Sequence, residues 1–284
     1  MNFKQLAFIA GSVANPAMCA RVLREHAKLE PVKPKGWNDW FNRLADWIDA
    51  GMPDNTPCRV FVKGNGKLPF WSFSTLPGAS FCPGASDCLN WCYSFKSWRN
   101  PPAFVRQLMN TLLMLHKRDV ITRAWDALPT DHHIRLYVDG DFGSVSELRY
   151  WMNRCNSRAD LKVYGYSKSF AIFLKADRDG IAWPDNYTLN LSGGHKYDDA
   201  TVALMRDLPV VRGDFIGLKV DIGRKVRASD HGTPEVNKAL REAAKAMGLG
   251  KVFTCPGKCG ECTKSEHACG SRRFDGIPVV IAVH

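Results

Sequence analysis

The stretch Ile134-Arg-Leu-Tyr-Val-Asp-Gly-Asp-Phe142 decides the fold, together with Leu161-Lys-Val-Tyr-Gly-Tyr-Ser-Lys-Ser169 and Tyr187-Thr-Leu-Asn-Leu-Ser-Gly-Gly-His195. Each is a short run rich in β-branched and aromatic residues that breaks off at a polar turn, the pattern of a strand. Ser144 to Asn156 reads as a helix between the first two, with Ser144 or Ser146 as its N-cap. A further helix precedes the third. Strand, helix, strand, helix predicts parallel strands covered by helices. In such sheets ligands bind at the carboxyl ends of the strands. All three strands end there in chemistry-bearing turns, so Asp139, Asp141, Lys168 and His195 are candidate ligand-holding residues. The plain alternative for these four is ordinary loop polarity.

Working outward, Arg59 to Lys63 and Phe70 to Ser74 read as strands around the turn Gly64-Asn65-Gly66. Helices are expected over Phe104 to Leu115, in a second segment running to Leu128, and over Pro234 to Met247. Residues 16–30 and 36–50 read as two more. In the latter, Trp37, Trp40, Phe41, Leu44, Trp47 and Ile48 form one apolar stripe at helical period. A terminal strand is expected within Ile277 to His284. The expectation is an α/β protein in three parts: an N-terminal helical cap (1–57), an α/β body (58–250), and a cysteine-rich segment packed on it (251–284).

Seven of the ten cysteines fall in two clusters. One is Cys82-Pro-Gly-Ala-Ser-Asp-Cys88-Leu-Asn-Trp-Cys92. The other is Cys255-Pro-Gly-Lys-Cys259-Gly-Glu-Cys262, with Cys269 seven residues on. Close thiolates on short loops bind iron–sulfur clusters or zinc. Both clusters open with Cys-Pro-Gly, a turn that can aim backbone N–H groups at sulfur. Disulfides are disfavoured, because the apolar stretch Leu6 to Ala10 is too short for a secretory signal and is soon broken by Asn15-Pro16. Cys82, Cys88, Cys92, Cys255, Cys259, Cys262 and Cys269 are therefore candidate metal ligands. His267 is an alternative to Cys269. Cys19, Cys58 and Cys155 read as small buried hydrophobes.

The formal net charge of +11 favours polyanionic partners. Between Lys96 and Arg123 six Lys and Arg face one Asp, and Trp91, Tyr93, Phe95 and Trp98 stand at the start. Bases among aromatics suit phosphate contact plus base stacking. Lys96, Arg99 and Arg106 are the candidate phosphate contacts and Trp98 the candidate stacking ring; solvated bases over core aromatics are the rival picture. No apolar run approaches the roughly 20 residues needed to span a bilayer. A cytoplasmic, membrane-free location is expected.

The order of motifs resembles the gene product 88 family of phages and plasmids. The matching pieces are Gly64-Asn65-Gly66-Lys67, Ser72-Phe-Ser-Thr-Leu-Pro77, Cys82 to Tyr93, Asp139-Gly-Asp-Phe142, Tyr166-Ser-Lys-Ser169, Leu191-Ser192 and the late cysteines before a terminal His. The resemblance implies a host-cytoplasmic protein and brings no established activity. More distantly, the layout is similar to the radical S-adenosylmethionine (SAM) superfamily, in which a Cys-x3-Cys-x2-Cys loop follows the first strand of a partial (β/α) barrel. That resemblance implies one or two 4Fe–4S clusters, with SAM as a ligand near Asp139 and Asp141. The first loop here is Cys-x5-Cys-x3-Cys, longer in both gaps. The late group has the superfamily spacing at the other end of the chain, which implies an auxiliary cluster or a zinc knuckle. Two readings stand: an iron–sulfur enzyme of radical-SAM type acting on or near DNA or RNA, and a non-enzymatic nucleic-acid-binding protein with structural iron–sulfur or zinc sites.

Overall fold

A computed structural model describes residues 1–64, 68–90, 92–260, 262 and 267–283. Gly64-Asn65-Gly66-Lys67 (in part), Trp91 and the terminal His284 lie outside the described residues. Three helices open the chain: α1 (Phe3–Gly11), α2 (Pro16–Ala27) and α3 (Trp37–Asp49). The first was not expected; Asn2 and Gln5 start it with a reciprocal capping box. The α3 stripe turns Phe41, Leu44, Trp47 and Ile48 inward, as its period requires. These helices share one continuous core with the body, since Phe41 and Trp37 pack against Phe104.

The strands are β1 (Val62–Lys63), β2 (Trp71–Ser72), β3 (His133–Leu136), β4 (Lys162–Ser167), β5 (Tyr187–Ser192), β6 (Val211–Leu218), β7 (Phe253–Thr254) and β8 (Val279–Ala282). They form one eight-stranded sheet in the order β1-β2-β3-β4-β5-β6-β8-β7. Only the β1–β2 pair is antiparallel. The helices are α4 (Ser94–Ser97), α5 (Pro101–His116), α6 (Arg118–Asp126), α7 (Val145–Ser157), α8 (Phe170–Arg178), α9 (Asp199–Arg206) and α10 (Pro234–Ala246). Ser144 caps α7 by accepting from Glu147 N–H at 3.1 Å. The fold is thus mixed α/β, with β1 and β7 at opposite ends of the strand order.

Because side chains alternate along a strand, the sheet has two different faces. Ile134, Leu136, Val163, Leu189 and Leu191 enter the large core with the helices. Tyr164 and Tyr166 point the other way, into a small cluster with Phe215, Val279, Phe253, Cys255, Cys262 and Cys269. The cysteine-rich segment therefore lies over the second face of the sheet. The edge strand β7 delivers it: Cys255 follows Thr254 directly, and its N–H donates to Val280 O at 2.8 Å. Cys19 and Cys155 are fully buried among apolar neighbours, and Cys58 is half-buried.

Candidate functional site

Because β2 to β6 run parallel, their carboxyl ends lie along one rim, and the first cysteine loop docks there. Ala85 forms an antiparallel bridge with His195, and Lys196 N–H donates to Gly84 O at 3.1 Å. Gly84 approaches the end of β4 so closely that a Cβ would lie 1.5 Å from Lys168 O. Cys88 Cβ is 3.8 Å from the Cβ position of Gly194, beyond the end of β5. Cys82 lies within electrostatic reach of Cys92, Asp141 and Lys168. The structure thus brings the first cysteines together with three of the four strand-end candidates.

Those four differ in what they have left to offer. Asp141, 6 % exposed, accepts from Ser167 Oγ at 2.7 Å and Phe142 N–H at 2.8 Å on one oxygen, and from Lys168 N–H at 2.8 Å on the other. Its carboxylate clamps the β3 end to the β4 end, and both oxygens are engaged within the protein. Asp139 accepts from Gln107 Nε2 at 3.0 Å, with Arg135 and Arg106 in electrostatic reach. Burial raises both carboxyls above the usual range. Lys168 Nζ donates to Ser192 Oγ at 2.7 Å. The half-buried His195 packs on Phe170 and is held below its ordinary pKa by burial and by Lys168.

The late cysteines gather on the second face of the sheet, apart from the rim. Cys255 reaches both Cys259 and Cys262 electrostatically, and Cys269 reaches Cys255 and Cys259. The Cys255-Pro256-Gly257 turn, with Gly257 at φ +74°, aims the Gly257 N–H at Cys255 Sγ at 3.4 Å. Ala268 N–H donates to Cys262 Sγ at 3.4 Å. Such N–H···S bonds stabilise thiolate and tune cluster potential. His267 is buried, with Nε2 3.1 Å from His133 Nδ1, and packs on Phe70 and Tyr164. Burial and His133 depress its pKa to about 3. Burial pushes the Cys82 and Cys269 thiols up to about 12 and Cys255 to about 11. A metal entering either site has to displace protons.

Among the described residues, no three His, Cys, Asp or Glu side chains converge closely enough to hold one metal ion. A zinc ion holds its sulfurs about 2.3 Å away, so four must crowd around one point. An iron–sulfur cubane places each thiolate on its own iron, at the corners of a larger body. All-thiolate donors and the N–H···S bonds are a donor set that suits an iron–sulfur cluster or a zinc ion.

Trp98 corrects the expected stacking ring. It is 3 % exposed, packed among Phe3, Phe95 and Phe104, and donates Nε1–H to Gln107 Oε1 at 2.8 Å. Its apolar surface is worth more in the core than at a wet interface. Lys96 and Arg99 are exposed, four and seven residues after Cys92, and Arg106 is half-buried within electrostatic reach of Asp139. Of the other expected bases, Arg123 is paired with Asp54 and Asp119, and Arg118 donates to Met114 O and Ser146.

Sequence reasoning missed the buried polar network behind the rim. Gln107 links Trp98 to Asp139, while Asn110 donates to Val60 O and Ser74 O. Asn190 and Arg212 tie the sheet to the cysteine segment. The available signal was polar residues inside otherwise apolar elements, such as Gln107, Asn110 and Thr111 on α5.

A parallel sheet with cysteine loops at its rim and on one face defines an α/β protein with paired thiol-rich sites. The gene product 88 family matches residues 54–267, three-quarters of the chain, and the protein belongs to that family. No curated protein and no solved structure matches it. Among the described residues no helix is long and apolar enough to cross a membrane.

Proposed function

We propose that this chain is an iron–sulfur protein with a 4Fe–4S cluster on Cys82, Cys88 and Cys92 and a second centre on Cys255, Cys259, Cys262 and Cys269. The observation that supports this most is the docking of the first loop, backbone to backbone, on the ends of β4 and β5. Three thiolates leave one iron of a cubane open. When bound, such a cluster supplies one-electron chemistry to a ligand on that iron. The chain's own part would be to position that ligand: Asp139 offers a carboxylate, Lys168 a cation and Ser192 a hydroxyl, while Asp141 holds the two turns in place. The one-way run of parallel strands from β2 to β6 supports the finer reading of a partial barrel of radical-SAM type, with SAM as the ligand. Lys96 and Arg99, exposed in the segment that follows Cys92, support a nucleic-acid phosphate as the neighbouring partner. Clustered cysteines suited to metal rather than to disulfides support a cytoplasmic location.

Anaerobically purified protein is expected to be brown, with iron and acid-labile sulfide. Cys88→Ser should lose about one cluster's worth of iron while the late centre stays filled. Colourless protein holding only zinc would overturn the reading. For the partner, oligonucleotide affinity should fall steeply with salt, and Lys96→Ala or Arg99→Ala should each lower the salt slope by roughly one. No binding at low salt would remove nucleic acid from the account.

A further inference from the structure

Two arginines lie in the sheet beneath the late cysteines, and neither has a carboxylate partner among the described residues. Arg212 is 1 % exposed. It donates to Asn190 Oδ1 at 2.7 Å, Phe274 O at 2.9 Å, Ile277 O at 2.8 Å and Asp214 O at 3.2 Å, all neutral acceptors. The nearby carboxylates are taken, Asp214 by Arg206 and Asp275 by Arg272. Arg135, on β3, lies over the Tyr166 ring at 4.6 Å, and its Nε is shielded from water with no acceptor. Its surroundings are Tyr166, Tyr93, Tyr164 and Cys259; Asp139 feels its charge without forming an ion pair. A buried cation without a counter-charge is costly, so such groups are normally paired. Among the described residues, the cysteine thiols are the groups of this segment that can carry a negative charge toward them: Cys259 lies within electrostatic reach of Arg135, beside three tyrosine hydroxyls, and Cys269 within reach of Arg212, linked to it through Asn190.

We infer that Arg135 and Arg212 are the built-in counter-charges of an anionic four-thiolate centre, and that Arg135 sets its reduction potential. The inference rests on the late group holding a cluster. Four thiolates around such a body leave it net negative, and reduction adds one more negative charge. A guanidinium beside it, in a low-dielectric setting, favours the reduced form and holds the potential up. Arg212 also ties β6 to residues 274 and 277, so it is the poorer probe. Arg135 donates no hydrogen bond from its Nε and acts chiefly through charge.

The test uses the full-length chain carrying Cys88→Ser, which removes the first cluster and leaves the late centre as the observed signal. A dithionite titration followed by electron paramagnetic resonance reads its midpoint potential, beside iron and sulfide analysis. Arg135→Gln is expected to move the midpoint to more negative potential or to shed late iron on desalting. Arg135→Lys should stay close to the parent. Arg135→Met serves as a second neutral variant if Gln disturbs folding by circular dichroism. Neutral variants with the parent's iron content and potential overturn the inference. So does a Lys variant as displaced as the Gln variant, which would make the role one of shape. If the Cys88→Ser parent itself contains no iron or sulfide, the underlying cluster reading fails instead.

Discussion

Glu147 stands behind the Asp139–Asp141 turn without touching the site. It accepts from Gly143 N–H at 3.1 Å and from the Tyr137 hydroxyl, and Tyr137 holds a left-handed φ of 53° at the end of β3. Burial raises its pKa from an ordinary 4.5 to about 7. Below pH 4.5 the carboxyl is protonated whether the chain is folded or not. Between about 4.5 and about 7 the unfolded chain gives up the proton and the folded chain keeps it, so the native state loses stability as pH rises. Glu147→Gln should remove that part of the slope, seen as a flatter pH dependence of the urea midpoint across this window. A second prediction concerns Gly84. Gly84→Ala would put a Cβ 1.5 Å from Lys168 O, and backbone cannot yield cheaply. It should cost about 1–3 kcal/mol in denaturant titration. It should also strip iron from the first centre while the late one keeps its own, read by metal analysis.

Asn190 works at the level of the element. From the middle of β5 it donates to Gly165 O on β4 at 3.1 Å and to Cys269 O at 2.8 Å, and it accepts from Arg212 on β6 at 2.7 Å. One side chain thus joins three strands to the short 3-10 turn Ala268–Gly270. The β5–β6 register shifts between Leu189 and Asn190, and the irregularity accompanies this inward-facing amide. Asn190→Ala leaves buried partners unsatisfied. It should cost roughly 1–3 kcal/mol by urea titration and loosen the cysteine segment, detected as faster amide exchange around Cys269.

For the whole molecule, the N-terminal helices are part of the fold's interior. Trp37 and Phe41 of α3 pack on Phe104 of α5, and α5 in turn carries Gln107 and Asn110 to the rim. A chain truncated to residues 58–284 should expose that face of α5. It is expected to be recovered as aggregate or to bind a hydrophobic dye that the full-length protein does not. A truncated protein with native-like near-ultraviolet circular dichroism would show instead that the body folds alone.

Local rules made the elements legible. The strands from Ile134, Leu161 and Tyr187, the Ser144 cap and the α3 stripe all follow from periodicity or capping chemistry within a dozen residues. The strand-end candidates followed as well, because a parallel sheet gathers its carboxyl ends on one rim. What each candidate has free to offer did not follow. Asp141 is engaged by Ser167 and Lys168, and Trp98 is buried in part by Phe3, partners distant in sequence. The sequence by itself determined that the chain carries two cysteine-rich loops. Only the tertiary structure decided that one docks on the rim and the other covers the second face above Arg135 and Arg212. The reason is physical: ligand spacing is a property of neighbouring residues, whereas burial and counter-charge depend on contacts closed between segments far apart in the chain.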